Sequence, residues 1–171
     1  MANYVWTPFN TLNTSAISLP DPSKIQGIKD LGKLKDTDVL YVFAHHGKFL
    51  PHIGDSDGNK LNVYELADAL IEAGLRKTHE CIKLWVCFAG FGMQHKQGFA
   101  YDFWYTMHNM YGFHNLTVFA YTEITVDPII DKHKSCYAIN AEQNYVKLEG
   151  TAKNYRVGMR ANGAFIGLGQ S

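Results

Sequence analysis

The 171-residue sequence has no excess of either charge, no long apolar run and few cysteines. Its 16 lysines and arginines balance its 16 aspartates and glutamates, so no basic surface favours nucleic acid or an anionic membrane. No stretch approaches the roughly 20 apolar residues of a membrane span, and the first residues lack the charged start and apolar core of a secretory signal. We therefore expect a protein that works in the cytoplasm, or that is exported without a conventional signal peptide.

The cysteine content also limits the chemistry. Three cysteines are too few for a disulfide framework, and their odd number leaves at least one thiol free. The sequence contains neither a Cys-x-x-Cys nor a His-x-x-x-His pair, so the signal for zinc is weak and we expect no metal or cofactor. A metal site remains the chief alternative chemistry. Its candidate ligands are Cys87, His45, His46, His52 and the segment 133–136.

Apolar residues make up 46% of the chain, which is enough to bury a core. No repeat, low-complexity tract or linker divides the sequence, so we interpret residues 1–171 as a single domain. Short and nearly continuous apolar runs, typical of strands covered on both faces, occur at 39–44, 82–86 and 116–121.

Helical patterns lie between these predicted strands. Asn62 and Glu65 are spaced as a capping box at the start of the first helix, and Gly74 is placed to end it. The second helix is predicted within 99–112. The alternation predicts an α/β protein with a mostly parallel sheet, right-handed crossovers and helices packed on its faces.

Two further elements are expected outside this central part. A helix is predicted in residues 21–34, before the first strand. Near the C-terminus, Asn162-Gly163 separates two alternating runs and predicts an antiparallel hairpin, with another strand expected within 144–157.

Reactive side chains follow each of the three predicted strands. The run His45 to Gly47 follows the first strand, Cys87 follows the second, and the pair Thr122 and Glu123 follows the third. Because parallel strands end at the same edge of a sheet, we expect these groups to meet there. A thiol beside an imidazole is the minimum for nucleophilic catalysis, since the thiolate attacks and the imidazole transfers protons near neutral pH.

The central half of the chain, residues 39–126, resembles the caspase-like cysteine peptidases, which include caspases, legumains, gingipains and the protease domains of bacterial toxins. An apolar strand closed by His-Gly, a helix, and an apolar strand closed by Cys occur here in the family's order. The stretch GDSDGNKLNVYELADAL is similar to the family's glycine turn and helix after the histidine. The stretches CFAGFG and FAYDF are similar to the loop and helix after the cysteine.

The resemblance implies a caspase-like fold with helices on both faces of the sheet, and an endopeptidase acting on a peptide or protein substrate. It makes Cys87 the nucleophile and His46, which directly precedes Gly47, the general acid and base. It also implies an oxyanion hole formed by the backbone N–H groups of Gly47 and Cys87. The pocket for the residue before the cleaved bond would be lined by Thr122, Glu123 and Asp127.

Other interpretations of the same residues stay open. Cys87 alone would most often be a small buried hydrophobic residue, and Glu123 a solvated loop charge. His45 is expected to be structural, since alternation points it away from His46. The segment 55–59, DSDGN, is interpreted as a solvated turn, because its glycine is misplaced for a calcium loop. The alternative functions are a catalytically silent binding or toxin-type module, and a cysteine-dependent amidase or acyltransferase.

Overall fold

The computed structural model describes residues 1–9, 25–125 and 135–170. The helices of these residues are α1 (Val63–Glu72) and α2 (Phe99–Asn109). The strands are β1 (Asn3–Trp6), β2 (Gln26–Gly27), β3 (Val39–Phe43), β4 (His52–Gly54), β5 (Lys60–Asn62), β6 (Cys81–Trp85), β7 (Thr117–Tyr121), β8 (Ile124–Thr125), β9 (Cys136–Ile139), β10 (Tyr145–Lys147), β11 (Arg156–Met159) and β12 (Phe165–Ile166).

The main sheet has the strand order β12-β11-β7-β6-β3-β1-β2. The strands from β7 to β2 run parallel, whereas β11 is antiparallel to both of its neighbours, β7 and β12. The predicted α/β class and mostly parallel sheet are therefore confirmed, and the ends of the three central strands agree with the prediction to within one residue. The pairing of Phe43 with Trp85 fixes the register of β3 and β6, so both strands finish side by side.

Both described helices pack on one face of the sheet. That face carries Leu40 and Leu84, which are fully buried in one cluster with Leu66 of α1 and Phe103 of α2. The opposite face carries aromatic side chains that pack against one another, with the rings of Tyr41 and Trp85 5.6 Å apart. The expectation of helices on both faces is thus met on one face only within the described residues. Strands that are apolar on both faces predict that both faces of the sheet are covered, but they do not predict that a helix covers each face.

The predicted capping of α1 is confirmed. The side chain of Asn62 accepts from the N–H of Glu65 at 2.9 Å, and the side chain of Glu65 accepts from the N–H of Asn62 at 3.0 Å. Gly74 follows the helix with a φ of +104°, a conformation that favours glycine. Local chemistry therefore sets both ends of this helix.

The helix predicted in residues 21–34 does not form in its described part. Residues 25–34 instead contain β2, which extends the sheet beside β1, and a short 3₁₀ turn at Leu31–Lys33. Asp30 caps that turn by accepting from the N–H of Gly32 at 3.0 Å. Two glycines within this segment disfavour a longer helix, and pairing with β1 stabilises the extended alternative. Residues 21–24 lie outside the described residues.

The C-terminal prediction is confirmed. Strands β11 and β12 form an antiparallel hairpin, and the turn between them places Gly163 at a φ of +85° with the side chain of Asn162 accepting from the N–H of Ala164. Strand β10 falls within 144–157 and joins β9 and β8 in a second, antiparallel sheet. Neither helix of the described ranges has the length and apolar character needed to cross a membrane.

Candidate active site

The end of the β3 and β6 pair brings His46 and Cys87 together. His46 lies three residues after the end of β3, and Cys87 lies two residues after the end of β6. The Nδ1 of His46 lies 2.8 Å from the carbonyl oxygen of Cys87. Both residues are partly exposed to solvent. The expected meeting of an imidazole and a thiol-bearing residue at this edge is therefore present in the structure.

Carbonyl oxygens hold the His46 ring at both nitrogens. Its Nε2 lies 2.7 Å from the carbonyl oxygen of Leu50, opposite the contact with Cys87. A carbonyl oxygen only accepts, so a neutral ring can donate to one of these partners, whereas an imidazolium can donate to both. The ring also packs against Phe99, the first residue of α2, with centroids 5.6 Å apart. The imidazole is thus fixed in orientation by two loops and a helix.

The thiol of Cys87 points to a different neighbour. Its Sγ donates to the carbonyl oxygen of Thr125 at 3.2 Å and lies 3.9 Å from the hydroxyl of the same residue. Between the described side chains of His46 and Cys87 no direct hydrogen bond forms. A change of the Cys87 rotamer about χ1 is the smallest movement that would turn the thiol from Thr125 toward a substrate.

The loop after Cys87 is pinned to the end of β7. Phe88 has a φ of +56° and donates its N–H to the carbonyl oxygen of Glu123 at 3.1 Å. Gly90 donates to the carbonyl oxygen of Tyr121 at 2.8 Å, and a Cβ at Gly90 would meet the oxygen of Ala120 at 3.0 Å. A left-handed non-glycine residue is costly and is typically retained where surrounding contacts enforce it. This geometry sets the position of the backbone on which Cys87 sits.

The predicted oxyanion-hole donors have no partner in the described part of the chain. Neither the N–H of Gly47 nor that of Cys87 donates to an acceptor among the described residues. The carbonyl of Gly47 accepts from the N–H of Leu50 at 3.1 Å, which closes the turn that supplies the Leu50 carbonyl to His46. The two amides are therefore not engaged within the described part of the chain.

The residues after β7 share this edge, but Thr122 is already engaged. Both its N–H and its hydroxyl donate to the carbonyl oxygen of Tyr155, at 2.9 and 3.2 Å. Glu123 is half-buried, and its carboxylate forms no ion pair with any described residue. Asp127, the third predicted pocket residue, lies outside the described residues. Glu123 is thus the described member of the predicted pocket whose side chain is available to a substrate.

His45 lies on the opposite side of the strand from His46, as the alternation predicts. Its ring is exposed and contacts Phe43 with centroids 5.9 Å apart, and its backbone pairs in both directions with Gly54. Gly54 ends β4, which pairs with β5 in a hairpin that the sequence did not indicate. The predicted turn at 55–59 connects these strands, and Asp55 accepts there from the N–H groups of residues 57 and 59.

The remaining metal-binding candidates do not cluster. Within the residues that the structure describes, no group of three or more histidine, cysteine, aspartate or glutamate side chains is arranged to hold a metal ion. Cys81 stands at the opposite end of β6 from Cys87, and Cys136 is buried in β9. His133 lies outside the described residues.

Three contributors to the site were not identified from the sequence. They are the carbonyl oxygen of Leu50, the carbonyl oxygen of Thr125 and the ring of Phe99. Backbone acceptors leave no trace in residue types, and an apolar residue at the start of a predicted helix indicates core packing rather than contact with a histidine. The sequence matches no model of a known protein family, and no curated protein is significantly similar to it.

Proposed function

We propose that the protein is a cysteine endopeptidase in which Cys87 is the nucleophile and His46 the general acid and base. The supporting observation is the imidazole held at 2.8 Å from the Cys87 carbonyl, at the end of two adjacent parallel strands. Partial exposure of both residues gives a substrate access. The resemblance to caspase-like peptidases in the order of these motifs supports the same assignment.

The proposed reaction has two steps. His46 takes the thiol proton, and Cys87 Sγ bonds to the carbonyl carbon of the scissile peptide, with the oxyanion facing the amides of Gly47 and Cys87. The C–N bond breaks as His46 returns the proton to the leaving amine, which leaves a thioester. A water then gives a proton to His46 and attacks the thioester carbon; the C–S bond breaks as His46 returns the proton to Sγ, which releases the acid product and restores the Cys87 thiol.

The decisive experiment is peptide cleavage by single variants, with a labelled peptide library as substrate. Cys87→Ala should abolish cleavage, and His46→Ala should lower turnover by about 10²–10⁴-fold. His45→Ala is the matched control, because His45 lies on the other side of the strand, and it should keep most of the activity. Near-normal turnover in His46→Ala with loss in His45→Ala would show that the wrong histidine was assigned.

The same peptide library also measures which residue the protein prefers before the cleaved bond. We propose that the Glu123 carboxylate favours a basic side chain there through a charge-assisted hydrogen bond. Its lack of an ion pair among the described residues supports this role. Glu123→Gln should remove the basic preference while leaving cleavage of other peptides intact, and a preference that survives the substitution would contradict the role.

A catalytically silent binding module is the second candidate, and one observation favours it. The thiol of Cys87 donates to the Thr125 carbonyl, and both nitrogens of His46 contact carbonyl oxygens rather than the thiol. In a silent module this arrangement would persist, and His46→Ala would not alter the reactivity of Cys87. In the peptidase, the same substitution should slow the alkylation of Cys87.

A further inference from the structure

A cleft beside His46 combines aromatic walls with one carboxylate. Its volume is about 230 Å³. It is bordered by His46, by the loop after it, by the loop after Cys87 and by the first turn of α2. The side chains that carry the following steps are Phe49, Phe88, Phe91, Phe99 and Asp102.

Three of these rings lie close to the ammonium group of Lys48. The Nζ of Lys48 lies 4.4 Å from the ring centroid of Phe91, 5.4 Å from that of Phe88 and 5.7 Å from that of Phe49. Phe49 and Phe91 meet edge to face at 5.1 Å. Rings at these distances attract a cation through their π-faces. These rings are therefore suited to attract an ammonium, and Lys48, which does not line the cleft, leaves the cleft itself open.

Two of the three rings belong to residues with a strained backbone conformation. Phe49 and Phe88 both have a positive φ, of +72° and +56°. Phe49 is also 79% exposed, although its ring is apolar. An exposed aromatic side chain on a strained backbone is unfavourable for folding alone, and such features concentrate at binding sites.

Asp102 adds a negative charge to the same cleft. Within the described part of the chain its carboxylate forms no ion pair and accepts no hydrogen bond. Asp102 is largely exposed, yet partial desolvation by its neighbours raises its pKa above the ordinary value, because desolvation disfavours the charged form. A cationic ligand would relieve this cost.

The position of the cleft assigns it to one side of the scissile bond. His46 borders the cleft, whereas Cys87 does not. In the proposed reaction His46 protonates the leaving amine, so the part of the substrate that departs as the amine lies nearest to His46. The cleft is therefore on the leaving-group side, separate from the pocket assigned to Glu123.

We propose that this cleft is a specificity pocket for a lysine side chain in the residue that follows the cleaved bond. Its alkyl stem packs on the phenyl rings, and its ammonium pairs with Asp102. This assignment rests on the proposed function for its place in the substrate. The cleft's affinity for an ammonium on an alkyl stem is a property of the protein without catalysis.

The first test measures binding of the leaving fragment alone to the full chain. Calorimetry compares the peptide amide Lys-Ala-Ala with norleucine-Ala-Ala, which has the same alkyl stem without the ammonium. We expect the lysine peptide to bind at least about tenfold tighter. Asp102→Asn should remove most of that difference without weakening the norleucine peptide. Equal affinity of the two peptides for the wild-type protein, or an unchanged ratio in Asp102→Asn, would overturn the proposal.

Lys48 supplies a second and independent variant. Lys48→Met keeps an apolar stem over the rings but removes the competing ammonium. The lysine peptide should then bind roughly threefold tighter, because a like charge no longer competes for the same rings. Weaker or unchanged binding would overturn the use of these rings by the lysine peptide.

Cleavage then separates this inference from the proposed function. A library varied after the scissile bond should show faster cleavage before lysine than before norleucine, with the ratio lost in Asp102→Asn. Cleavage without that preference would overturn the pocket and leave the peptidase standing. Lysine-selective binding that depends on Asp102, in a protein that cleaves no peptide, would leave the pocket standing and refute the peptidase.

Discussion

The two ends of the parallel strands, the amino edge and the carboxyl edge of the main sheet, use polar residues in opposite ways. At the amino edge, the Asp38 carboxylate accepts from the N–H groups of Ala2 and Lys35 at 2.9 and 2.8 Å, and His79 contacts the carbonyl of Cys81 at 2.9 Å. Asp38 and His79 are buried. At the carboxyl edge, His46 and Cys87 are half-exposed. The first edge buries these two polar groups and satisfies them, whereas the second keeps its two reactive groups accessible.

Cys81 and Cys87 make the same comparison on a single strand. Desolvation raises the pKa of the Cys81 thiol, which favours its protonated and less reactive form. Cys87 lies just beyond the other end of β6 and is partly exposed as Cys81 is, but it lies near an imidazole. Chemically identical groups thus differ through their position along one strand, and the carboxyl edge is where a parallel sheet places a site.

The largest expected effect is the difference in thiol reactivity between the two ends of β6. With limiting iodoacetamide on the folded protein, Cys87 should be alkylated at least about tenfold faster than Cys81. Cys136 is fully buried and should also lag. Mass mapping of the labelled peptides over time gives all three rates in one experiment.

The control for this prediction is His46→Ala, which should change the rate of Cys87 more than the rates of the other two cysteines. Denatured protein provides the second control, since all three thiols should then react at similar rates. A Cys87 that is labelled only after denaturation would break the comparison. It would favour the silent binding module over the peptidase.

A smaller effect concerns the loop that carries the site. Gly90→Ala places a Cβ against the backbone oxygen of Ala120 and 2.8 Å from Cγ2 of Val157, so we expect the free energy of unfolding to fall by about 1–3 kcal/mol. Urea unfolding measures the change. The matched control is Gly167→Ala, where the nearest atom beyond its neighbours is 3.7 Å away.

The comparison is sharpened if Gly90→Ala also slows labelling of Cys87 while leaving Cys81 unchanged. That result would show that the close approach of the loop to β7 sets the reactivity of the carboxyl edge. Equal stability of the two glycine variants would mean that the loop shifts freely, against the close contacts around Gly90.

The sequence predicted those features that depend on local patterns. The apolar runs located β3, β6 and β7, and the Asn62 and Glu65 pair located the start of α1. The position of His46 and Cys87 at one edge followed from the parallel topology alone. These features are set by residue type and spacing, which a sequence displays directly.

Features that depend on tertiary contacts were missed. Strand β1 forms beside β3 although it has only four residues, and β2 replaces the predicted helix because it pairs with β1. The carbonyls of Leu50 and Thr125 became visible as partners of His46 and Cys87 only in the folded chain. The cleft beside His46 joins loops that are far apart in sequence, so no local pattern indicated it.

The smallest expected effect tests the buried histidine at the amino edge. Burial lowers the pKa of His79 below its ordinary value of about 6.5, although its bond to the Cys81 carbonyl opposes the shift. Above about pH 6.5 the ring is neutral in both the folded and the unfolded chain, so it adds no pH dependence there. As the pH falls below that value, the unfolded chain takes up a proton that the folded chain does not. Stability should therefore decrease toward acid, by at most about 1.4 kcal/mol per pH unit.

The measurement is urea unfolding between pH 7.5 and 5.5 of the wild type and of His79→Gln, which removes the titrating group. The variant starts from a lower stability, because it disrupts a buried contact, but its stability should fall less steeply as the pH is lowered. His95→Gln is the matched control, since His95 is exposed and its replacement should leave the wild-type slope unchanged. Parallel pH profiles for the wild type and His79→Gln would mean that the amino edge admits a proton as readily as the unfolded chain. The amino edge would then not be closed to protons, and its contrast with the accessible carboxyl edge would be lost.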